Sequence, residues 1–411
     1  EGFHDALVLS RNVGIYNTDQ TMMARTNDTI WRPMPYIAQS ISSTPGSTIA
    51  GSYQDMTQLS VPATIGFSRT VPWTMTTLDL RDALQEGRLG EAAKQKLASD
   101  INLAIMNAAA NLGSLVVDIG AAAGTYDDVA LCDSIMNEQG VADYDRYLAL
   151  SSRDYNGLAG NIAGAAAAAT RSFGGNKSNT AFERSFVGMV AGFETFKFDY
   201  ANRLTGAAGG ATLIDTQVGA ANFFVPAATS TAVSGETQNV DNRFQTITVD
   251  NTVGVAAGDA FTISGVEAVH HITKQGTGQP KTFRVVSVTN GTDMVITPPI
   301  ISAQGGSDAE LQYQNCIVTP AAAAPLTWLN ANTAAVNVFW QRDALELLPG
   351  RYAVPSDAGT AVMRATTDQG IEVVMQKFYD IDSMTIKYRL DTLFGVVNKQ
   401  PEMSGILLFN Q

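Results

Sequence analysis

Three histidines, His4, His270 and His271, supply all the imidazole this chain has for acid–base, nucleophilic or metal chemistry. The adjacent pair His270 and His271 offers two ring donors. Successive residues of a strand face opposite sides, however, so the two rings do not share one ion. No cysteine and no HxxxH spacing stands beside them, and a solvated loop pair is the simpler reading. A Ser-His-Asp triad would draw on the same three imidazoles, and there is no GxSxG elbow to present its serine. Gly174-Gly-Asn-Lys-Ser178 ends as a phosphate-cradling loop does. It lacks the first glycine at the required spacing and an aliphatic strand before it, so it reads as a surface loop. Asp127 and Asp128 pair two carboxylates, but at the start of a helix, where they complement the positive end of the dipole. Cys132 and Cys316 lie far apart and imply neither a disulfide framework nor a CxxC metal site. The sequons at Asn27, Asn176 and Asn290 are about as many as chance provides, and Phe339-Trp340 reads as core. No catalytic, cofactor-binding or metal residue is expected, and hence no enzyme and no cofactor.

The composition points elsewhere. At 411 residues the chain can build two or three cored domains. Charged residues make up only 16%, against roughly 25% in typical soluble proteins. Ala, Gly, Ser, Thr and Asn must cover the surface instead, as in subunits whose surfaces face other subunits or in extracellular proteins with polar, uncharged exteriors. The net charge of −13 and the absence of basic runs argue against binding nucleic acid by phosphate neutralisation. No apolar stretch reaches the roughly 18 residues of a membrane span, so a soluble protein is expected.

The elements can be sketched from periodicity. Residues 1–30 lack sustained periodicity and read as an extended arm. From Thr29 to Thr76 a β-like pattern is broken by Pro33, Pro35, Pro45-Gly46, Pro62 and Pro72, suggesting a long hairpin with its tip near Pro45-Gly46. A hairpin so polar is expected to lie across a neighbour rather than to bury a face at home. The strongest helix signal runs from Arg88 to Leu112. Leu97, Ile101, Ile105, Ala108 and Leu112 form one stripe, with Gln95, Asn102 and Asn107 off it and Gly113 as a left-handed cap. Leu115-Val-Val117 begins a strand. Residues 126–206 look α/β, with a helix near Val129–Met136, a strand at Tyr147–Ser151, an Ala-rich stretch at Ala163–Thr170 and a strand and turn at Val187–Phe193.

From Gly210 to Pro325 the helix signal vanishes. Short strands at Gln245–Val249, Ala260–Ile263, Lys281–Val288 and Met294–Thr297, with Asn290-Gly291 as a hairpin turn, suggest a small Greek-key barrel or sandwich. A mixed pattern then resumes: Phe339-Trp340, a helical Arg342–Leu347, and strands at Ile371–Phe378, Ser383–Leu390 and Gly405–Phe409. A β domain is thus inserted into an α/β-looking chain.

Blocks in this order carry a resemblance. They are Asn27–Pro33, Leu78–Asp82, Leu112–Val116, Val190–Phe193, Val240–Phe244, Gly258-Asp259 with Ile263–Val266, Thr282–Val286 with Asn290–Thr292, Asn337–Trp340, and Leu393–Glu402. Together the chain resembles the major coat proteins of the podophage P-twenty-two group, a branch of the Hong Kong ninety-seven capsid fold. The resemblance implies an α+β architecture: an N-arm (1–30), an E-loop (31–77), a P domain with a spine helix (78–125), an A domain (126–209 and 335–390), an inserted telokin-like β domain (210–334) and a C-terminal P-domain strand (391–411). It implies the major capsid protein of a tailed double-stranded DNA phage. Such a subunit assembles with itself as pentamers and hexamers, with a scaffolding protein and a portal, in the host bacterial cytoplasm. The shell encloses DNA without reading its sequence, matures as DNA is packaged, and meets no membrane. Another phage structural protein, decoration or tail, and an extracellular β-domain adhesin are the alternatives.

Interface residues follow from the same resemblance: Trp31, Pro45 and Gly46 in the E-loop, and Glu236, Asp241 and Arg243 at the insert's two-fold loop. In that loop Glu236 is the lone charge, so Asp241 and Arg243 are what remains of the family's ionic pairing. Relatives that crosslink E-loop lysines have no counterpart here, because no lysine precedes Lys94.

Overall fold

The computed structural model describes residues 7–16, 29–81, 83–164, 180–181, 183–198, 202–210, 212–215, 223–354 and 361–409. His4, Asn27, Gly174–Ser178 and most of the Ala-rich stretch lie outside them. The chain groups into two compact units, one of Glu1–Trp31, Pro62–Ala108 and Leu345–Asn398, the other of Arg32–Val61, Ala109–Ala344 and Lys399–Gln411.

The long helix α1 (Ala83–Leu112), which lies in the first unit as far as Ala108, begins five residues before the expected start at Arg88. Gly87 and Gly90 hide that first stretch from a propensity reading, since glycine is a poor helix former. Leu97, Ile101 and Ile105 are buried as the stripe requires. Asn102 is buried too, not off the stripe, because its Oδ1 accepts the Leu9 N–H at 3.3 Å. That bond fastens the arm, whose Leu7, Leu9 and Val13 are all buried, within its own unit.

A six-stranded sheet completes this unit. Its central strand, Thr385–Asn398, is flanked by Glu372–Asp380 on one side and Leu345–Pro349 on the other. The strand Phe67–Thr76 pairs with it along ten residues, from Thr385↔Thr76 to Phe394↔Phe67. Trp73 stacks on Tyr388 at 5.2 Å and Phe67 on Phe394 at 5.3 Å. This corrects the expectation that the early hairpin buries nothing at home: its second limb supplies a strand of its own sheet. The reason is backbone pairing, which polar alternation does not prevent. The expected helix at Arg342–Leu347 is instead a 3-10 turn, Arg342–Ala344, followed by the strand Leu345–Pro349. Every residue of that strand is buried, Glu346 included, because strands pair with it on both sides.

The second unit holds a seven-stranded sheet in which Ala334–Gln341 pairs antiparallel with both Ser404–Phe409 and Arg146–Ser151. Helices α2 (Tyr126–Glu138) and α3 (Ser152–Gly164) belong here. A core of Leu115, Val129, Cys132, Leu148, Phe193, Phe339 and Leu407 fills it. Gly113 does not adopt left-handed geometry. It is required for closeness, since a Cβ there would stand 2.6 Å from the Ala109 carbonyl oxygen and 3.0 Å from the Gly405 nitrogen.

The insert is a five-stranded antiparallel sheet, Gln245–Thr248, Asp293–Thr297, Gly276–Val288, Ala260–Val269 and Leu326–Trp328 in spatial order. It closes over Ile247, Phe261, Phe283, Val285 and Ile296. The Asn290-Gly291 turn is wider than a two-residue hairpin. Asn290 Oδ1 accepts the N–H groups of Thr292 (2.8 Å) and Asp293 (2.7 Å), a side-chain-mimicked turn that needs no left-handed glycine.

Candidate assembly interface

Between the strands Thr29–Pro33 and Ser60–Thr64 the early segment runs without a strand of its own. Trp31 lies half-buried in the strand Thr29–Pro33, which pairs with Ser60–Thr64. Met34 N–H donates to the Leu59 carbonyl (2.9 Å), and the Gln58 amide to the Met34 carbonyl (2.7 Å), so the stem is zipped. Pro45 and Gly46 form the tip, where Ser47 N–H reaches the Thr44 carbonyl at 2.9 Å and Gly46 takes φ +86°. Residues 40–53 are exposed throughout, including Ile41, Ile49 and Tyr53.

Where the segment returns it meets a short helix, α4 (Asp308–Tyr313), opened by a Ser307–Glu310 capping box. Three side chains of this helix address the backbone of the segment. Asp308 Oδ2 accepts Asp55 N–H (2.9 Å), and Gln312 Oε1 accepts Thr57 N–H (3.3 Å). The Gln312 amide donates to the Asp55 carbonyl (2.6 Å), Tyr313 O–H donates to the Thr57 carbonyl (3.0 Å), and the Gln39 amide donates back to the Leu311 carbonyl. Leu59, Ile301 and Tyr313 pack beneath with Met34 and Phe224.

Glu236 lies on the exposed hairpin Thr229–Thr231/Thr237–Asn239, where Ala232 N–H donates to the Glu236 carbonyl (2.8 Å). Val233 at its tip is fully exposed. Asp241 and Arg243 stand at the hairpin's root and face each other. Arg243 Nε and Nη2 donate to the two carboxylate oxygens at 2.9 and 2.7 Å, a bidentate fork, and the guanidinium lies 5.0 Å from the Phe244 ring. The structure therefore brings Asp241 and Arg243 together within one chain and leaves Glu236, Pro45 and Gly46 apart from them.

A group that sequence reading missed fixes the insert in place. Lys281 Nζ donates to Glu402 Oε1 (2.5 Å) and to Gln139 Oε1 (3.1 Å). Asn315 Nδ2 donates to the same Glu402 oxygen (3.0 Å). His271, far from being solvated, is buried with Nε2 at 3.5 Å from Glu402 Oε2. Burial, with Lys281, Lys274 and His270 against it, drives the His271 pKa down to about 4 despite Glu402. Burial alone would raise Glu402; His271, Lys281 and Asn315 outweigh it and bring it down to about 2. A cavity of about 30 Å³, room for one ordered water, is lined by Arg243, His271, Gln400 and Glu402 among others. Beside this group, buried Arg284 donates to the carbonyls of Gly258 (3.0 Å) and Gly113 (3.2 Å), and Thr282 to that of Ser114 (2.7 Å). The one signal in sequence was charge where a strand pattern wants apolar residues, at Lys281 and Arg284.

None of this geometry exposes a nucleophile with its base. Among the described residues there is no cluster of three or more His, Cys, Asp or Glu side chains able to hold a metal ion, and no helix long and apolar enough to cross a membrane. Both cysteines are buried, and desolvation raises the Cys316 thiol to about 12, which leaves it unreactive.

A family model described as P22 coat protein, gene protein 5, matches residues 1–410. The chain belongs to the P22 coat protein family. It is accordingly a major capsid protein, a structural subunit of a bacteriophage's icosahedral shell, and the α+β capsid fold with an inserted β domain is the one expected for it. Among solved structures, that of Mycobacterium phage Che8 is 10% identical with a TM-score of 0.46, covering 98% of this chain and 91% of its own. The capsid of cyanophage P-SCSP1u is 11% identical with a TM-score of 0.46, covering 97% and 87%. The CUS-3 coat protein I-domain is 37% identical with a TM-score of 0.23, covering 30% of this chain and 98% of its own.

Proposed function

We propose that this coat subunit assembles with a scaffolding protein, in the host cytoplasm, into pentamers and hexamers around a portal, and that the resulting shell matures as DNA enters. It does so without catalysis. The observation that carries this reading is the exposed run 40–53, a long, apolar-studded limb whose stem is zipped and whose tip is left in solvent. A limb with Ile41, Ile49 and Tyr53 uncovered gains burial from a neighbouring subunit. Residues 31–77 are then the E-loop, α1 the spine helix, and Trp31, Pro45, Gly46 and Glu236 subunit contacts. Asp241 and Arg243, paired with each other at the root of the hairpin that carries Glu236, are subunit contacts beside it.

The acidic chain suits a container. A basic lining would hold packaged phosphates and oppose their movement, whereas a net charge of −13 repels them. The test is electron microscopy of the expressed chain with and without a scaffolding protein. Closed shells of uniform size are expected with scaffold; soluble monomer under both conditions would overturn the reading.

A further inference from the structure

Two Asn-Gly pairs occur in the chain, Asn156-Gly157 and Asn290-Gly291, and the fold treats them oppositely. An asparagine before a glycine can react with its own backbone. The glycine amide nitrogen closes a succinimide ring on the side-chain carbonyl carbon, and no Cβ crowds its approach. Asn156-Gly157 lies inside α3, where the Gly157 N–H is committed to the helix ladder. A Cβ on Gly157 would stand 2.3 Å from the Ala123 carbonyl oxygen, so the backbone there has no room to turn. Asn290-Gly291 is instead exposed, at the turn between the strands Gly276–Val288 and Asp293–Thr297. No atom lies within 4 Å of the place a Gly291 Cβ would take. Its N–H makes no hydrogen bond within the chain.

The Asn290 side chain is set for this reaction. Its Oδ1 accepts the N–H groups of Thr292 (2.8 Å) and Asp293 (2.7 Å) and the Thr292 hydroxyl (3.1 Å). Three donors thus converge on the oxygen that turns negative when the carbonyl carbon is attacked, and preorganised donors aimed at developing charge lower such barriers. Nδ2, the nitrogen that must leave, donates to Asp293 Oδ2 (2.7 Å), which fixes the amide plane. We infer that Asn290 is a self-modification site, deamidating in the folded chain to aspartate and isoaspartate without an enzyme. Solvent hydroxide removes the Gly291 amide proton, and the nitrogen electron pair forms a bond to Asn290 Cγ. The Cγ–Nδ2 bond then breaks, and ammonia leaves after taking a proton from water. A water molecule opens the succinimide at either carbonyl. One water is consumed, one ammonia is released, and nothing is oxidised or reduced. The product carboxylate faces Asp293, whose Oδ2 loses its donor, and the isoaspartyl form lengthens the backbone by a carbon between two paired strands, so the turn is weakened. The inference goes beyond the coat-subunit reading and holds whether or not the chain builds shells.

The test incubates the purified, folded full chain in warm, mildly alkaline buffer and follows the peptides carrying Asn290 and Asn156 by mass spectrometry. Isoaspartate is counted with a protein isoaspartyl methyltransferase. The Asn290 peptide is expected to exchange the mass of an amino group for that of a hydroxyl, in two chromatographic forms, on the order of tenfold faster than the Asn156 peptide. Gly291→Ala, which the open turn accommodates, should slow the change by a similar factor. Equal rates at the two asparagines overturn the proposal. So does an Asn290 peptide that stays intact in the folded chain and deamidates only after unfolding in urea, because the hydrogen bonds of the turn then lock the amide instead of activating it. Asn290→Asp, which carries the product from the start, is expected to melt below the parent chain, and an equal melting temperature overturns the weakening of the turn.

Discussion

Glu402 draws its partners, His271, Lys281 and Asn315, from the inserted β domain, and the sign of its effect on stability can be worked out. Its folded pKa, about 2, lies below the ordinary carboxylate value, so its contribution is present above pH 4.5 and is lost as pH falls toward 2. His271 works in a different window. Its folded pKa of about 4 lies below 6.5, so the unfolded chain takes up a proton first, and stability is lost as pH falls from 6.5 to 4. Each tenfold rise in proton concentration within that window is worth ~1.4 kcal/mol. The subunit is therefore expected to lose about 2 kcal/mol between pH 6.5 and pH 5 through this one group. Urea unfolding across that range checks it, and His271→Asn should flatten the slope; an unchanged slope removes His271 from the account. The pair itself makes a second prediction. Lys281→Met or Glu402→Leu alone strands a buried charge and should cost ~3–5 kcal/mol, whereas the double variant should recover much of that. A double-mutant cycle in thermal or urea unfolding decides, with additive losses counting against a coupled pair. None of this was legible from the sequence, where two neighbouring histidines suggested a solvated loop. Burial of His271 depends on a carboxylate far along the chain, and no local pattern encodes that.

At the scale of elements, what could be read was what is periodic. The stripe Leu97, Ile101, Ile105 located α1, and alternation located most strands of the insert. Segments whose environment is supplied from elsewhere were misjudged. Leu345–Leu348 looked helical until strands on both sides buried it, and Phe67–Thr76, which stays mostly exposed, pairs along its whole length with Thr385–Asn398. That second finding changes how the early hairpin should be cut. Removing the whole of 31–77 would take with it a strand paired along ten residues with Thr385–Asn398 and should abolish folding. Replacing only residues 40–53 by a short Gly-Ser turn spares the zipped stem, the α4 contacts and the paired strand. Such a chain is expected to unfold within a few degrees of the parent by calorimetry and to fail at closing shells in the microscope. A large drop in melting temperature would mean that the exposed limb stabilises its own subunit. Gly395 tests the same packing from the other side. A Cβ there would lie 2.2 Å from the Thr64 carbonyl oxygen, a backbone atom that cannot swing away, so Gly395→Ala should cost ~1–3 kcal/mol in urea unfolding.

For the whole molecule, composition foretold more than any motif did. Few charges suited a subunit whose surfaces face other subunits before any element was placed. The same numbers predict how assembly responds to salt. Copies that each carry a charge of −13 repel one another at distances beyond contact. The exposed hairpin around Val233 offers one charge, Glu236, so few attractive ion pairs compensate there. Raising ionic strength from ~0.01 M to ~0.1 M shortens the screening length from about 30 Å to about 10 Å and should remove most of that repulsion. Scaffold-assisted assembly followed by light scattering should therefore speed up over this range and change little beyond it, since what remains is apolar burial and backbone pairing. Scaffold contacts could respond to salt in the opposite sense, so the coat chain should also be tested at high concentration without scaffold. Association of coat chains that slowed steeply with added salt would mean that ionic contacts between subunits dominate. The bidentate Asp241–Arg243 pair would then have to open in the shell, and Arg243→Ala would be expected to abolish the salt response along with assembly.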